Sequence, residues 1–374
     1  MNALQSLLDS YVEKGIVPGL AAAIAKQGGD VFMASAGFAD LGRHEPMTCS
    51  TQLRIYSLTK PMIACAVLQL AERGMVGLDD PVADYLPAFR HLKVRWSDRI
   101  VSDACTVRML LNMTSGIVPF FRDDSEETAQ LRREIIEQEL PFTTIGLADR
   151  IAEIPLAFQP GTGFIYGMSY EVLAALIEVA SGQKLSEYLR QWIFDPLRMD
   201  RTAFHITCPK HHADILRMTQ DGLKIANEAR YKPVEDPPGI EWGGDGLYST
   251  VEDYIRFLTD LTFDHRVING KMLRMMITPE ATHLCRDSFC SNPLLSGYGY
   301  GMGVRVACSP DTIAGETGLG EFGWYGHTGG WSMSNIGKGV TALLVSQCLP
   351  SPHQQTVPDF SRLIYGIGKE ERAR

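Results

Sequence analysis

Strand-like runs lie near the two ends of this chain, and helical patterns fill the middle. Residues 19–26 and 31–38 predict a β-hairpin around a Gly-rich turn, and residues 340–347 predict a buried strand. From about residue 75 to residue 220 the pattern is one of helices and loops. The simplest arrangement that buries both ends is one sheet assembled from them, with a helical unit inserted between.

This pattern predicts an α+β fold, an antiparallel sheet flanked by N- and C-terminal helices. The flanking helices are expected over residues 2–15 and from about 356 to 367. The 374 residues fit one large unit with an insertion, at about 150 residues per domain. We therefore expect a single catalytic unit over 1–374, in which 1–61 and 222–374 form an α/β part and 62–221 a mostly helical part.

Composition restricts the partners of the chain. The formal net charge is −9, and no cluster of Lys and Arg offers a surface for nucleic acid or an anionic membrane. The eight cysteines form no C-x-x-C pair, so neither a zinc site nor a disulfide framework is predicted. The pair His211-His212 is interpreted as a surface loop. We expect no metal and no cofactor.

The N-terminal segment has helical spacing of its charged residues and does not resemble a signal peptide. No apolar run approaches the roughly 18 residues that a membrane-spanning helix needs. These features predict a soluble, cytoplasmic protein. Oligomeric state is not indicated by any pattern in the chain.

An S-x-x-K motif, Ser57 to Lys60, opens a helix expected over residues 58–73 that is apolar on nearly all sides. Positions i and i+3 share a helix face, which brings the hydroxyl and the amine within reach. Burial disfavours the charged form of lysine, so Lys60 is expected to lose its proton near neutral pH and to activate Ser57. A second match, Ser181 to Lys184, follows a helix and is interpreted as a C-terminal turn containing Gly182.

Two further segments carry candidate groups. Tyr166 follows a Gly-rich loop and precedes a helix that starts near Ser169; it is a candidate general base, and the alternative is a packed aromatic side chain. The segment His327-Thr328-Gly329-Gly330 predicts an edge strand whose small residues allow a substrate to approach. There the N–H groups of Gly330 and Ser57 would form an oxyanion hole. The alternative for this segment is a Gly-rich turn between strands.

In this order, S-x-x-K, then Tyr before a helix, then H-T-G, the motifs resemble those of the serine β-lactamase and penicillin-binding protein superfamily. The match is to the branch with class C β-lactamases, D-Ala-D-Ala carboxypeptidases and family VIII esterases. Segments outside the motifs extend the resemblance over most of the chain. They are residues 74–87, 106–116, 193–199 and 243–257.

The resemblance implies that Ser57 is acylated, that Lys60 is the motif lysine and that Tyr166 is the tyrosine of Y-x-N. His327-Thr328-Gly329 then matches K-T-G. Two departures stand out, because Met168 replaces the Y-x-N asparagine and His327 replaces the lysine of K-T-G. Residues 323–326 also resemble the Trp-Gly motif of the family VIII esterases, so Trp324 is an alternative residue for the strand that faces the substrate.

The chain is thus expected to be a cytosolic serine hydrolase acting on a small ester or amide. One alternative is a β-lactamase or a D-amino-acid peptidase or carboxypeptidase. A second alternative is a binding protein that retains the fold without catalysis. The presence of Ser57, Lys60 and Tyr166 together favours catalysis.

Overall fold

The structure is a computed structural model and describes residues 2–40, 42, 44–95, 104–136, 143–228 and 231–366. Its strands are β1 (Gly19–Lys26), β2 (Val31–Asp40), β3 (Glu45–Pro46), β4 (Leu53–Arg54), β5 (Leu216–Thr219), β6 (Gly222–Ile225), β7 (Tyr248–Ser249), β8 (Tyr298–Tyr300), β9 (Arg305–Ala307), β10 (Phe322–Gly323), β11 (Trp331–Asn335), β12 (Val340–Ser346) and β13 (Cys348–Leu349).

The helices are α1 (Asn2–Glu13), α2 (Lys60–Glu72), α3 (Val107–Leu111), α4 (Glu126–Ile136), α5 (Thr144–Ala152), α6 (Ser169–Ser181), α7 (Leu185–Leu189), α8 (Asp195–Leu197), α9 (Val251–Thr259), α10 (Gly270–Met276), α11 (Thr282–Cys290) and α12 (His353–Tyr365). None of these helices has the length and apolar composition needed to cross a bilayer.

Eight strands form the main sheet, in the order β3-β2-β1-β12-β11-β10-β9-β8. All its neighbouring strands run antiparallel. Strand β1 lies between β2 and β12, with Leu20 opposite Ser346 and Lys26 opposite Val340. The two ends of the chain therefore meet inside one sheet, and the predicted α+β fold is confirmed.

The small side chains of β1 allow other elements to pack closely against the strand. Residues Ala21, Ala22 and Ala23 are fully buried, and α9 packs across β1 and β12. Helices α1 and α12 contact each other, so the chain termini flank the sheet together, as expected. Between α2 and α8, the described residues add no strand to the main sheet. The boundaries proposed for the two parts stay a prediction.

Helix α2 runs through the core of the molecule. Eleven of its residues are buried, and it packs against α6, which is also largely buried. Pro61 lies in the first turn, where its missing N–H costs no hydrogen bond. The chain leaves the helix through Gly74 at a φ of +69°, a left-handed conformation that glycine adopts without steric cost. The buried N-terminus of α2 is where the candidate site lies.

Candidate active site

A short 3₁₀ turn, Tyr56–Thr59, carries Ser57 into the N-terminus of α2. Tyr56 has a φ of +47°, in the left-handed region that non-glycine residues seldom occupy. Such strain persists only where the surroundings hold the backbone in place. Here the Tyr254 hydroxyl donates to the Leu58 carbonyl at 2.8 Å, and the Leu247 N–H donates to Thr59 Oγ1 at 3.2 Å. The position of Ser57 is thus determined from several elements.

The S-x-x-K residues come together as the helical spacing predicts. Lys60 Nζ donates to Ser57 Oγ at 3.3 Å and to the Gly244 carbonyl at 2.8 Å. The Lys60 side chain is buried, with a relative exposure of 4%. A buried ammonium group next to a serine hydroxyl is suited to proton transfer or to stabilising negative charge.

The expectation that Lys60 loses its proton near neutral pH is wrong. Burial does lower the pKa of Lys60, but interactions with Tyr166, Glu171 and Asp245 raise it by more, so the net pKa lies above its ordinary value. Lys60 is therefore an ammonium group in the resting site. A proton acceptor for Ser57 has to come from another side chain.

Tyr166 is the side chain that the structure brings next to Lys60. The Lys60 Nζ lies 4.7 Å from the centroid of the Tyr166 ring, and the Trp324 indole N–H donates to the Tyr166 hydroxyl oxygen at 2.9 Å. Both neighbours stabilise negative charge on that oxygen. Tyr166 also packs against Tyr300, so it is a packed aromatic side chain as well.

The segment His327-Thr328-Gly329-Gly330 is not an edge strand, and that expectation is wrong. Residues 327–329 form a tight turn that joins β10 to β11, closed by the Gly326 N–H donating to the Gly330 carbonyl at 2.7 Å. Gly329 has a φ of +112°, and a side chain there would clash with Ser346 Oγ. The alternative of a Gly-rich turn is the correct one, because only glycine fits this backbone.

The turn nevertheless lies close to the nucleophile. A Cβ atom on Gly326 would lie 2.7 Å from the Ile55 carbonyl oxygen, and one on Gly330 would lie 2.7 Å from Leu58 Cδ1. Both glycines therefore touch the residues that flank Tyr56 and Ser57. A hydrogen bond fixes the Thr328 side chain, since Gln347 Nε2 donates to its Oγ1 at 3.1 Å.

His327 contacts the residue that precedes Ser57. Its ring meets Tyr56 edge-on at a centroid distance of 5.5 Å, and it stacks on Tyr231, whose hydroxyl lies 3.0 Å from His327 Nε2. Met168 is buried in the main core just before α6. The structure thus places Met168 in packing and His327 beside the turn.

Trp324 is the residue of the late hairpin that reaches Tyr166. Its backbone remains paired with β11, because the Ser332 N–H donates to the Trp324 carbonyl at 2.9 Å. This position favours the alternative in which the strand residue facing the site lies before His327. A sequence motif for Trp-Gly was the signal that pointed to it.

Two residues of this site were not predicted from the sequence. The Gly244 carbonyl accepts a hydrogen bond from Lys60, and Glu171 accepts one from the Gly244 N–H. The Gly-rich run 243–246 lies in one of the segments that carry the family resemblance, and Glu171 follows Tyr166 by five positions without a motif of its own. Among the described residues, no group of three or more His, Cys, Asp or Glu side chains could hold a metal ion.

The second S-x-x-K match is structural, as predicted. Ser181 Oγ donates to the Ile177 carbonyl at 2.6 Å within α6. Gly182 follows with a φ of +69° and ends the helix. The Ser181 hydroxyl therefore takes part in a hydrogen bond at the end of its own helix.

Comparison with known proteins identifies a family for the chain. The family model described as "Beta-lactamase" matches residues 4–364. Esterase EstB of Burkholderia gladioli is 28% identical over 367 residues, which cover 92% of this chain and 89% of EstB.

Two solved structures share the fold. EstCE1, described as a hydrolase with promiscuous acyltransferase activity, superposes with a TM-score of 0.80 at 21% identity, covering 96% of this chain and 97% of EstCE1. Unliganded simvastatin synthase (LovD) from Aspergillus terreus, as its selenomethionyl derivative, superposes with a TM-score of 0.82 at 20% identity, covering 99% of this chain and 98% of LovD.

Proposed function

Because the chain belongs to the β-lactamase family of serine hydrolases, we propose that it cleaves a small carboxylic ester through an acyl-enzyme on Ser57. The observation that carries this proposal is the contact of Lys60 Nζ with Ser57 Oγ, next to a tyrosine whose oxygen accepts the Trp324 N–H. An amide with a good leaving group would enter the same chemistry.

In the acylation step, Ser57 Oγ attacks the carbonyl carbon while its proton passes to the Tyr166 oxygen. The Trp324 N–H, which donates to the Tyr166 oxygen, and the Lys60 ammonium beside the Tyr166 ring orient this general base. The tetrahedral oxyanion is bound by the N–H of Ser57 and by an N–H of the 326–330 segment, with Gly330 as the sequence-based candidate. The alcohol leaves with the proton that Tyr166 accepted.

In the deacylation step, a water molecule attacks the acyl carbon and gives its proton to Tyr166. The bond between the acyl carbon and Ser57 Oγ then breaks, and Tyr166 gives the proton to Ser57 Oγ. One carboxylic acid and the free enzyme result, so the atoms balance. The same tyrosine acts as base in the attack and as acid in the departure, in both steps.

Three features support an ester over a β-lactam or a D-amino-acid peptide. His327, in place of a fixed cation, stacks on Tyr231 beside the turn. Met168, in place of an amide, is buried in the core. A relative that is 28% identical over 92% of this chain is named an esterase. We further propose a cytosolic location, which eight free cysteines support because thiols persist in a reducing compartment.

Labelling with a fluorophosphonate probe, followed by peptide mapping, tests the nucleophile. We expect the adduct on Ser57 and turnover of short-chain p-nitrophenyl esters that Ser57→Ala abolishes. Ser181→Ala is the matched control and is expected to keep full activity. An adduct at another serine, or a folded protein that neither labels nor hydrolyses esters, would refute the proposal. Opening of a chromogenic cephalosporin in preference to esters would favour the β-lactamase alternative.

A further inference from the structure

We propose that Glu171 is a positioning residue for this reaction, which holds the Lys60 ammonium in place through the backbone of Gly244. The inference rests on the proposed function, since it assigns a role in the acylation of Ser57. Glu171 touches neither Ser57 nor the place of the substrate carbonyl in this mechanism. It acts only through Gly244 and through its charge.

The geometry begins with a carboxylate in the core. Glu171 lies in the first turn of α6, and its side chain is buried. Its Oε1 accepts the Gly244 N–H at 3.1 Å. A Cβ atom on Gly244 would clash with that same oxygen, so only glycine allows this approach. Glu171 therefore fixes the position of Gly244 against α6.

Gly244 passes this constraint on to Lys60. Its carbonyl accepts a hydrogen bond from Lys60 Nζ at 2.8 Å, shorter than the 3.3 Å between Nζ and Ser57 Oγ. The carbonyl of Gly244 is thus the closer anchor of the ammonium group. Any shift of Gly244 away from Glu171 would move Nζ relative to Ser57.

The charges at this point are coupled. The charged groups that act on Glu171 are Lys60 from α2 and Asp245 from the segment after Gly244, and Tyr166 acts on Lys60 from the loop before α6. Burial raises the pKa of Glu171 to about 7, although Lys60 lowers it. The ionised Glu171 in turn contributes to the raised pKa of Lys60. The positioning effect is therefore greatest above pH 7.

An ionised Glu171 is a cost to folding. Its pKa in the folded state lies above the ordinary value of 4.5, so the folded state binds more protons than the unfolded state between about pH 4.5 and 7. Stability is then lost as the pH rises through this window. Replacing the carboxylate with a neutral amide should relieve that cost. If the carboxylate were purely structural, the same replacement would lower the stability.

The test is Glu171→Gln, which keeps an acceptor of the same size and removes the charge. For wild type we expect kcat/KM for an activated ester to fall on the acid side with a midpoint near pH 7. For Glu171→Gln we expect a loss of at least about ten-fold at pH 8, the change produced by weakening one charge-assisted hydrogen bond, and no such acid limb. Its thermal midpoint at pH 8 should equal or exceed that of wild type.

Glu178→Gln is the matched control. Glu178 lies two turns further along α6, is half-buried, and accepts the Leu185 N–H at 3.1 Å in the same manner. Its removal should leave the rate and the pH profile unchanged.

The outcomes separate the two proposals. If wild type labels at Ser57 and Glu171→Gln keeps both the rate and the acid limb, the positioning role is refuted while the proposed function stands. A rate loss accompanied by a lower thermal midpoint would also refute it, because Glu171 would then be structural. If wild type itself fails to label, the proposed function has failed.

Discussion

Trp324 is the residue that joins the late hairpin to Tyr166. Its indole N–H donates to the Tyr166 oxygen at 2.9 Å, and the two rings lie 5.4 Å apart. A neutral hydrogen-bond donor at this point stabilises the tyrosine oxygen when it carries negative charge, and it holds the ring in place. Trp324 thus contacts the Tyr166 oxygen, while the Lys60 ammonium lies over the Tyr166 ring.

We expect Trp324→Phe to lower kcat by about 10- to 100-fold, with a smaller effect on KM. The reason is that the lost hydrogen bond holds the Tyr166 oxygen in place to accept the Ser57 proton, and misplacing a catalytic group by about 1 Å can cost about 100-fold. Steady-state kinetics on a p-nitrophenyl ester measures it. Trp331→Phe is the control, because the buried Trp331 Nε1 has no hydrogen-bond partner among the residues that the structure describes. Equal losses in both variants would contradict the role of the indole N–H.

At the scale of elements, the β10–β11 hairpin is held against the nucleophile by the start of α12. His353 Nε2 donates to the Gly330 carbonyl at 2.9 Å, while its Nδ1 lies 2.7 Å from Ser351 Oγ. Since a carbonyl only accepts, the neutral ring carries its proton on Nε2, and the Ser351 hydroxyl donates to Nδ1. The buried His353 therefore connects the first turn of α12 with Ser351 just before the helix and with Gly330 just before β11.

His353 should make stability depend on pH. Burial lowers its pKa to about 4, so between about pH 4 and 6.5 the unfolded state binds more protons than the folded one. Stability attributable to this neutral histidine is present above pH 6.5 and is lost as the pH falls, by up to about 3 kcal/mol at 1.36 kcal/mol per unit.

Urea unfolding at pH 8, 6.5 and 5 measures this dependence. We expect wild type to lose more stability between pH 8 and 5 than His353→Phe, although the variant is weaker at pH 8 because the Gly330 carbonyl loses a donor. His211→Gln serves as the control, since His211 is exposed in its loop. A wild-type curve parallel to that of His353→Phe would contradict the assignment.

At the scale of the whole molecule, a buried ion pair of the sheet also binds a tyrosine of the C-terminal helix. Arg305 of β9 and Glu321 are both buried, with Nη2 and Oε1 2.9 Å apart. Glu321 also accepts from the hydroxyls of Tyr298 and of Tyr365 in α12. The buried Glu321 carboxylate is therefore stabilised by Arg305 and by two tyrosine hydroxyls from different elements, which come together only in the folded chain.

We expect Glu321→Ala to lower the free energy of unfolding by about 3–5 kcal/mol, because it leaves the Arg305 charge buried without its partner. The double variant Arg305→Met/Glu321→Leu should recover much of that loss, since no charge is then buried. Denaturant melts with a common baseline measure both. The exposed pair Arg133–Glu126 supplies the control, where Glu126→Ala should change little. A double variant as weak as the single one would contradict this account.

The sequence alone was sufficient for features with a local cause. The short apolar runs at residues 19–26 and 340–347 predict strands, and the longer apolar run after Ser57 predicts a buried helix, because the length and pattern of an apolar run limit which element can bury it. The contact between Ser57 and Lys60 follows from a three-residue spacing within one turn. Gly182 as a helix terminus is equally local.

Tertiary structure decided the features that depend on distant residues. Trp324 reaches Tyr166 across 158 positions of sequence, and Lys60 reaches Gly244 across 184. The pKa of Lys60 is raised because three distant groups outweigh burial, which no local pattern could show. Small residues at 327–330 suit both a strand and a turn, and the folded backbone decides for the turn, with Gly329 at a φ of +112° and the Gly326 N–H donating to the Gly330 carbonyl. Spacing determines neighbours within an element, whereas packing determines neighbours between elements, and the chemistry of this site depends on both.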